Sequence, residues 1–380
     1  MFLDCEKTVL ENALNQVSRA ISPRSPLPIL GHILMEARGD ELRLTATDLN
    51  IGVQTSIPVR IHEEGATTCS ARLLAEIVGR LPAGPTTLQT VGEGMLKVTS
   101  GRTRFEVATL PAEEYPTLPV PENASSLHIP RKFLKAMVTR VGIAAAEVDE
   151  SRPVMTGILT ILDSSRITLV ATDGRRLARM SCELEQDELE EAQVVIPARA
   201  MHEMIKVFGD GEGEVEIILA DPQVFFRVPG VQFHCRILEG RFPDFNRVIP
   251  KSFQRTARFG CEVLANALRR MIIVAQEKDS PNMVRMEFEP DRLTLSANTP
   301  DLGSAREEIP ALLEGEPLTI AFNGKFILDS LSVMDADEVQ LDLQDESHSA
   351  VLRPLQDSSF DYVCMPVRLR EFSTEPVGAV

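Results

Sequence analysis

Two aspartates and a histidine are the residues of this 380-residue chain that could perform acid–base chemistry together. Asp48 and Asp173 could act as catalytic carboxylates, with His202 as the base. Both aspartates, however, end the same tripeptide, Ala-Thr-Asp, and they are 125 residues apart. Equivalent positions of two repeats belong to different domains, so we do not expect one shared active site, and we expect no enzyme.

A glycine-rich segment, Gly209–Gly213, could hold a phosphate group. A dinucleotide fingerprint, however, needs a strand before its glycines and a helix after them. Here the order is reversed, because a helical pattern precedes the segment and the alternating pattern of Glu214–Leu219 follows it. We therefore predict a turn that ends a helix.

Metal and disulfide chemistry find little support in the sequence. The six cysteines stand apart without a CxxC pair, and the six histidines never adopt a metal-ligand spacing. We expect no metal and no cofactor. We expect each cysteine to be a small buried apolar residue, and the six are Cys5, Cys69, Cys182, Cys235, Cys261 and Cys364.

The composition is that of an ordinary folded protein, with 43% hydrophobic and 25% charged residues and a mean hydropathy of −0.03. No apolar run approaches the ~20 residues of a membrane helix, and the N-terminal residues MFLDCEK lack the pattern of a secretion signal. We expect a cytoplasmic protein. The net charge of −17 argues against a nucleic-acid partner unless basic residues are separated from acidic ones.

A threefold internal repeat organises the chain. Three sequence markers recur in it: Leu42–Asp48 with Ile167–Asp173 and Leu293–Asn298, Ala71–Val78 with Ala198–Ile205 and Gly324–Leu331, and Tyr115-Pro116 with Phe242-Pro243. A common period of about 125 residues indicates three similar domains in tandem. We place them at 1–122, 127–252 and 253–369, followed by a tail at 370–380.

Each repeat has the same order of predicted elements: an amphipathic helix, alternating strands, a second helix and further strands. The first helices are predicted at Thr8–Ala20, Pro130–Ala146 and Glu262–Gln276, and strands at Glu41–Thr47, Arg166–Thr172, Glu214–Leu219 and Glu338–Leu343. Helices packed on antiparallel sheet in every copy predict an α+β fold. Three copies in a row suggest a ring or an arc with the helices on one side.

Basic residues are concentrated in the predicted helices of this acidic chain. The stretch Leu127–Ala146 contains four basic residues and no acidic one, whereas Glu183–Glu191 holds part of the acidic excess. Each basic residue alone could merely aid solubility. Together they predict a surface for phosphate contacts, consisting of Arg80, Arg131, Lys132, Lys135, Arg140, Arg199 and Lys206.

The sequence resembles the bacterial DNA polymerase III beta subunit, the processivity sliding clamp. Six motifs carry the resemblance: Pro26–Gly31, Thr45–Leu49, Gly101–Phe105, Ala171–Leu177, Gly240–Val248 and Tyr362–Leu369. The resemblance implies three tandem clamp domains, and a head-to-tail homodimeric ring that slides on double-stranded DNA with its helices lining the channel. It implies a non-enzymatic tether whose partners are the polymerase III alpha subunit, the clamp loader, and other polymerases and repair proteins with short peptide motifs.

The resemblance also assigns residues to three sites. Arg24 and Arg72 match DNA-contact positions; Phe105 and Val107 match one side of the dimer interface, and Ile272 and Ile273 match the other. The partner-peptide pocket matches Met155, Thr172, Gly174, Arg175, Arg176, Leu177, Pro243, Arg247, Val248, Val363, Met365, Pro366, Val367, Arg368 and Leu369.

Alternative explanations stay open at this stage. The apolar interface residues could belong to an ordinary core, and Thr172–Gly174 could be a strand-end turn, because Thr47-Asp48 begins the same motif in the first repeat. The whole chain could also be a repeat scaffold that binds peptides without DNA. The tail Arg370–Val380 extends beyond the usual family end, and we expect it to be mobile and dispensable for peptide binding.

Overall fold

The structure is a computed structural model that describes residues 1–22, 27–92, 94–121, 126–147, 149, 151–185, 189–276 and 281–368. In the first repeat, the helices and strands are β1 (Phe2–Glu6), α1 (Lys7–Val17), β2 (His32–Arg38), β3 (Glu41–Thr47), β4 (Ile51–Pro58), β5 (Arg60–Glu63), β6 (Gly65–Ser70), α2 (Ala71–Arg80), β7 (Pro85–Val91), β8 (Met95–Ser100) and β9 (Thr103–Ala108).

The second and third repeats follow a similar order. The second repeat has β10 (Ser126–Pro130), α3 (Arg131–Gly142), β11 (Gly157–Ser164), β12 (Arg166–Thr172), β13 (Arg176–Glu183), β14 (Leu189–Pro197), α4 (Ala198–Phe208), β15 (Glu214–Ala220), β16 (Gln223–Val228) and β17 (Val231–Arg236). The third has β18 (Arg255–Gly260), α5 (Cys261–Ile272), β19 (Met283–Glu289), β20 (Arg292–Thr299), β21 (Gly303–Pro310), β22 (Leu312–Glu314), β23 (Leu318–Asn323), α6 (Gly324–Leu331), β24 (Glu338–Leu343), β25 (Ala350–Pro354) and β26 (Phe360–Cys364).

The spacing of apolar residues explains these elements. In β2, Ile33 and Met35 are buried, while the residues beside them are only half-buried. Since successive side chains of a strand point to opposite faces, one face of β2 packs in the core. In α1, Leu10, Leu14 and Val17 are buried, and their spacing places them on one face of the helix.

The chain divides into two compact units, and the first comprises Met1–Val138, Leu162–Ser165 and Leu184–Glu239. Antiparallel sheets of this unit have the strand orders β5-β1-β7-β8-β9 and β10-β15-β16-β17-β4-β3-β2-β6. The longer sheet joins strands of the first two repeats, since β17 pairs with β4. Helix α1 packs on β3 and β4 and also contacts α2 and α4, so helices cover one face of the longer sheet.

The second unit comprises Thr139–Ile161, Arg166–Glu183 and Gly240–Val380. One sheet has the order β21-β20-β19-β23, and another contains the run β12-β13-β26-β25-β24-β18-β22. The latter joins strands of the second and third repeats, since β13 pairs with β26. Helix α5 packs against α6, β20 and β21.

Most predicted elements are confirmed, with small changes at their ends. The strands at Glu41–Thr47, Arg166–Thr172 and Glu338–Leu343 have the predicted bounds. The prediction that Pro130 begins a helix is wrong, because Pro130 ends β10 at the edge of its sheet. An edge strand tolerates proline since no ladder hydrogen bond is lost there. The three predicted first helices also end earlier, at Val17, Gly142 and Ile272.

Two local predictions can be compared directly with the structure. The glycine-rich segment is a helix-terminating turn, as predicted: Gly209 has a φ of 66°, and its N–H donates to the Ile205 carbonyl at 3.0 Å. All six cysteines are free thiols, but Cys182 is only half-buried, so the prediction of burial is wrong for it. None of the helices among the described residues has the length and apolar content that a membrane crossing requires. The domain boundaries at 122, 252 and 369 stay a prediction.

Candidate functional site

A tight turn between β12 and β13 carries the first part of the predicted pocket. The Thr172 hydroxyl donates to the Arg176 carbonyl at 2.6 Å and accepts from the Gly174 N–H at 3.1 Å. The Asp173 carboxylate accepts from the N–H groups of Arg175 and Arg176 at 2.8 and 3.0 Å. Gly174 has a φ of 86°, a conformation that favours glycine. The turn is therefore held by its own side chains.

The matching turn of the first repeat has the same hydrogen bonds. The Thr47 hydroxyl donates to the Ile51 carbonyl at 2.8 Å, and the Asp48 carboxylate accepts from the Ile51 N–H at 2.8 Å. Leu49 occupies the place of Gly174 with a φ of 74°. The Thr-Asp motif is a strand-end turn in both repeats, which gives both aspartates a structural role.

Arg176 is held beside this turn by ion pairs on two sides. Its Nε donates to Asp173, and Nη1 donates to Asp329 of α6, both at 3.0 Å. The guanidinium lies over the Phe326 ring, 4.3 Å from the centroid. Burial opposes the charged form, but the oxygens of Tyr362 and Asp329 outweigh it and raise the pKa of Arg176. The guanidinium is thus fixed next to the turn, and two carboxylates balance its charge.

The chain after β26 and the residues before β11 also lie against the turn. The Met365 N–H donates to the Arg175 carbonyl at 3.0 Å. Cε of Met155 would lie 3.5 Å from a Cβ atom at Gly174. The structure therefore brings these members of the predicted pocket together.

Exposure divides the predicted pocket residues into two groups. Met155, Leu177 and Val363 are almost fully buried, so they support the sheet and do not themselves present surface. Met365 and Val248 are 45% and 42% exposed, and they offer apolar surface of the kind that a peptide ligand covers. Thr172 is also buried. The other predicted pocket residues that the structure describes are exposed or half-buried, and they are Gly174, Arg175, Arg176, Pro243, Arg247, Pro366, Val367 and Arg368.

Pro243, Arg247 and Val248 lie on one segment that begins at Gly240. A Cβ atom at Gly240 would lie 3.0 Å from Cγ1 of Val154, so this segment packs against Val154, the residue before Met155. Arg247 is highly exposed. A joint surface of this segment with the end of the last strand stays a prediction.

Several basic residues of the predicted DNA surface are exposed on helices. Arg72 of α2, Lys132 of α3 and Arg199 of α4 are exposed. Arg80 and Lys206 are also exposed, and each forms an ion pair with a glutamate of its own helix. Exposed pairs of this kind are weak. These five side chains are therefore available to phosphate groups.

Three other predicted DNA residues are engaged within the protein. Arg131 is half-buried and donates to a backbone carbonyl, and Lys135 forms an ion pair with Asp210. Arg140 is only 15% exposed and pairs with Asp357 at 2.7 Å. Arg131 and Arg140 offer little surface to phosphate, and we leave both out of the proposed contacts.

The predicted interface residues differ in exposure. Phe105 of β9 is 39% exposed, whereas Val107 is 6% exposed and belongs to the core of its unit. Ile273, just after α5, is 66% exposed, and Ile272 is half-buried. Three of the four residues therefore present apolar surface. Val107 is instead an ordinary core residue, which was the alternative explanation.

Some predicted residues lie outside the part of the chain that the structure describes. They are Arg24 of the DNA set, Leu369 of the pocket and the tail Arg370–Val380. Within the described part, no group of three or more His, Cys, Asp or Glu residues is arranged to hold a metal ion.

Models of the DNA polymerase III beta subunit match the chain in three consecutive stretches. The N-terminal domain matches residues 1–119, the central domain 128–244 and the C-terminal domain 246–368. The chain belongs to the DNA polymerase III beta subunit family. The resemblance drawn from six sequence motifs is confirmed, and so are three tandem clamp domains.

Beta subunit relatives are similar over nearly the full chain. A beta sliding clamp of Staphylococcus epidermidis is 31% identical over 366 residues, 94% of this chain and 96% of that protein. One of Staphylococcus aureus is 32% identical over 364 residues, 93% and 96% of the two chains. The crystal structure of a DNA polymerase sliding clamp from Bacillus subtilis has a TM-score of 0.93 at 29% identity and covers 97% of this chain and 100% of that chain. A sliding clamp from Pseudomonas aeruginosa bound to griselimycin has a TM-score of 0.92 at 29% identity, with the same coverage.

Three residues around Arg176 were missed by sequence reasoning. Asp329 and Phe326 lie on α6, which the repeat marker locates without giving a role. The Tyr362 hydroxyl donates to the Phe326 carbonyl at 2.8 Å and stands just before the predicted segment 363–369. The sequence gives no local signal for these partners, because Asp329 is 153 residues away from Arg176.

Proposed function

We propose that this protein is a DNA sliding clamp that tethers the replicative polymerase to its template for processive synthesis. The observation that carries the proposal is the ordered match of N-terminal, central and C-terminal beta-subunit domains along the whole chain. Relatives named beta sliding clamp cover the same length. The clamp has no catalytic residues of its own in this proposal, and its expected place is the cytoplasm.

Two edge strands support a head-to-tail homodimer. β9 ends the shorter sheet of the first unit, and β21 ends the shorter sheet of the second. Most residues of both strands are exposed, and an edge of this kind is a template for pairing with another chain. We propose that β9 of one protomer pairs with β21 of its partner, bringing Phe105 against Ile272 and Ile273. Two such contacts close a ring.

Edge charges are complementary in this arrangement. Arg104 lies on β9 and Arg102 lies just before it, while Glu307 and Glu308 lie on β21. In the single chain, Arg104 is paired with Glu106 on its own strand. The proposed dimer would exchange this exposed pair, and the pairs of Glu307 with Arg270 and of Glu308 with Arg306, for pairs across the interface. Such pairs fix register more than they add affinity.

The ring proposal resolves the conflict between the net charge of −17 and a DNA partner. A ring holds duplex DNA by topology, so a few sequence-independent phosphate contacts are sufficient. Helices lining the channel would present exposed cations such as Arg72, Lys132 and Arg199 to the duplex. The acidic remainder would repel DNA from the outer faces.

The turn between β12 and β13 and the end of the chain form the proposed partner site. Arg176, paired with Asp173 and Asp329, holds the turn in place, and Met365 and Val248 supply apolar surface for a short peptide. The proposed occupants are the polymerase III alpha subunit, the clamp loader, and other polymerases and repair proteins, each through a peptide motif.

DNA topology provides the test. The protein is loaded by a clamp loader on nicked circular DNA, and the salt concentration is then raised. A ring should stay on the circle and leave after linearisation, because it slides off the ends. An ordinary phosphate binder would weaken alike on both templates, since each phosphate contact contributes a log–log salt slope of about −0.9.

The same experiment separates the second candidate, a repeat scaffold that binds peptides without DNA. That candidate is favoured by the exposed apolar residues Met365 and Val248, which do not require a ring. Equal loss from circular and linear DNA, together with intact peptide binding, would replace the clamp proposal by the scaffold.

A further inference from the structure

A polar cavity lies on the longer sheet of the first unit, on the face that α1 does not cover. Its volume is about 260 Å³, and its polar lining comes from Arg43, Gln54, Ser56, Arg227 and Gln232. The strands alternate, so their fully buried residues, such as Leu44 on β3 and Phe233 on β17, point to the opposite face. The cavity therefore opens away from the helices that pack on this sheet.

The two arginines of this cavity are incompletely neutralised. Nε of Arg227 donates to the neutral side chain of Gln232 at 2.8 Å, and the nearest carboxylate, Glu216, is 3.7 Å from Nη1. Arg43 is exposed, and among the described residues it has no hydrogen-bond or ion-pair partner. Arg43 is unpaired among these residues even though Glu36 lies directly opposite it where β2 pairs with β3. Among the residues that the structure describes, none of those that line the cavity is acidic.

The second unit has the same arrangement of strands but supplies its own carboxylate. Nε of Arg179 donates to one oxygen of Asp361 at 3.0 Å, and Nε of Arg353 donates to the other at 2.5 Å. Asp361 is 4% exposed. Burying a carboxylate between two arginines satisfies all three groups, whereas removing it would leave uncompensated charge.

Register shows which residues correspond between the two sheets. Arg179 pairs with Asp361 where β13 meets β26, and Gln54 pairs with Gln232 where β4 meets β17. Gln232 thus stands in the place of the aspartate. Gln54 stands in the place of Arg179, so a neutral pair replaces the ion pair of the second unit. The first unit keeps Arg227 beside Gln232 and has Arg43 on β3, two strands away from β17, but the described residues that line the cavity include no carboxylate.

We propose that this cavity binds a carboxylate group supplied from outside the chain, beside Gln232, where Arg43 and Arg227 supply the positive charge. A guanidinium binds a carboxylate through two parallel N–H donors, so Arg43 is the natural partner for such a group. The cavity has room for an acidic side chain or a small dicarboxylate, and it is smaller than the sites of drug-sized ligands.

Duplex DNA is not the expected ligand of this cavity. That step rests on the proposed function, in which the helices face the DNA and the cavity opens on the other side of the sheet. A free dicarboxylate and an acidic side chain of a partner protein share the chemistry, and the test separates them.

Two carboxylate probes and four variants test the proposal on the full chain. The probes are malonate and a labelled, end-blocked Gly-Asp-Asp-Asp-Gly peptide, followed by calorimetry and by fluorescence anisotropy. Arg43→Gln and Arg227→Gln each remove a donor. Gln232→Glu keeps the shape but places an internal carboxylate 2.8 Å from Arg227. Arg236→Gln is the control, because this exposed arginine of β17 is paired with Glu239 and does not line the cavity.

We expect the first three variants to bind at least tenfold more weakly than wild type, and Arg236→Gln to bind like wild type. Binding of malonate identifies a free dicarboxylate as sufficient, and binding of the peptide alone identifies a protein partner. Failure of both probes on wild type, or unchanged binding by Arg43→Gln and Gln232→Glu, would overturn the proposal. Displacement of the peptide by a short DNA duplex in an Arg43-dependent manner would overturn it too. Retention of Arg43→Gln on circular DNA is measured in parallel, so failure of this site and failure of the clamp proposal are distinguished.

Discussion

At the scale of single residues, His234 is a buried imidazole in the longer sheet of the first unit. It is 4% exposed and packs beside Phe225, with ring centroids 5.5 Å apart. A Cβ atom at Gly52 would lie 2.0 Å from its Cε1, so only glycine leaves space for this ring. Its Nδ1 has no hydrogen-bond partner among the residues that the structure describes, and burial lowers the pKa of His234 to about 4.

This imidazole makes folding stability depend on pH. The ordinary pKa of histidine is about 6.5, so between pH 6.5 and 4 the unfolded chain binds a proton that the folded chain does not. Stability from this group is therefore complete above pH 6.5 and is lost as the pH falls towards 4. We expect His234 to account for a loss of about 2 kcal/mol in the free energy of unfolding between pH 7 and pH 5.

The measurement is urea unfolding of wild type and His234→Phe at both pH values. The phenyl ring keeps the contact with Phe225 but cannot titrate, so the variant should lose about 2 kcal/mol less than wild type between pH 7 and pH 5. Equal losses in the two proteins would show that His234 is not the responsible group.

The sequence shows which residues are basic or apolar, but it does not show which of them are exposed in the folded protein. From the sequence, Arg140 is predicted to be an exposed basic residue of a helix, like Arg199. In the structure it is paired with Asp357, which is 217 residues away in the sequence. Leu177 and Val363 read as walls of a pocket, yet they pair with each other inside a sheet. Such long-range partners leave no signal in the local pattern.

At the scale of elements, the edge strands and the end of α5 carry the dimer proposal. Replacing Ile272 and Ile273 by alanine removes apolar surface that the interface would bury, at about 2–5 kcal/mol for each fully buried side chain. Sedimentation should therefore show monomers at concentrations where wild type is dimeric. Leu312→Ala is the matched control, because Leu312 is 55% exposed in the same unit. A dimer that survives the double substitution would contradict the assignment.

The end of the last strand is the second element with a testable role. A chain that stops at Cys364 loses the Met365 hydrogen bond to Arg175 and the exposed Met365 side chain. We expect it to lose most affinity for a short peptide carrying Gln and Leu or Phe, measured by calorimetry, while dimerisation persists.

The matched control for this truncation deletes only Arg370–Val380. We expect unchanged peptide affinity in that protein. A several-fold gain would instead indicate that Phe372 of the tail competes with partners for the pocket.

Elements were easier to predict than the sheets that contain them. Apolar spacing and the repeat located β3, β12 and β24 to the residue. The pairing of β13 with β26 was not predictable, because Arg179 and Asp361 are 182 residues apart and strand pattern alone does not identify a partner strand.

At the scale of the whole molecule, we propose that the separation of charge permits DNA binding. Neutralising Arg72, Lys132 and Arg199 to glutamine should flatten the log–log salt dependence of binding to a short duplex by about 0.9 for each lost phosphate contact. Arg292→Gln serves as control, since this cation lies on a strand and pairs with Glu289. An unchanged slope in the triple variant would show that DNA contacts a different surface of the protein.

The long-range partnership of β13 and β26 has a consequence for synthesis of the protein on the ribosome. β13 emerges long before β26, so the nascent chain carries Leu177 and Met180 on an open strand edge and Arg179 without its carboxylate. Unpaired edges and exposed apolar residues make such intermediates prone to aggregation. The sheet of the second unit is completed only after β26 (Phe360–Cys364) has been synthesised. A premature stop before Phe360 therefore yields a chain that needs chaperones or proteases rather than a shorter working protein.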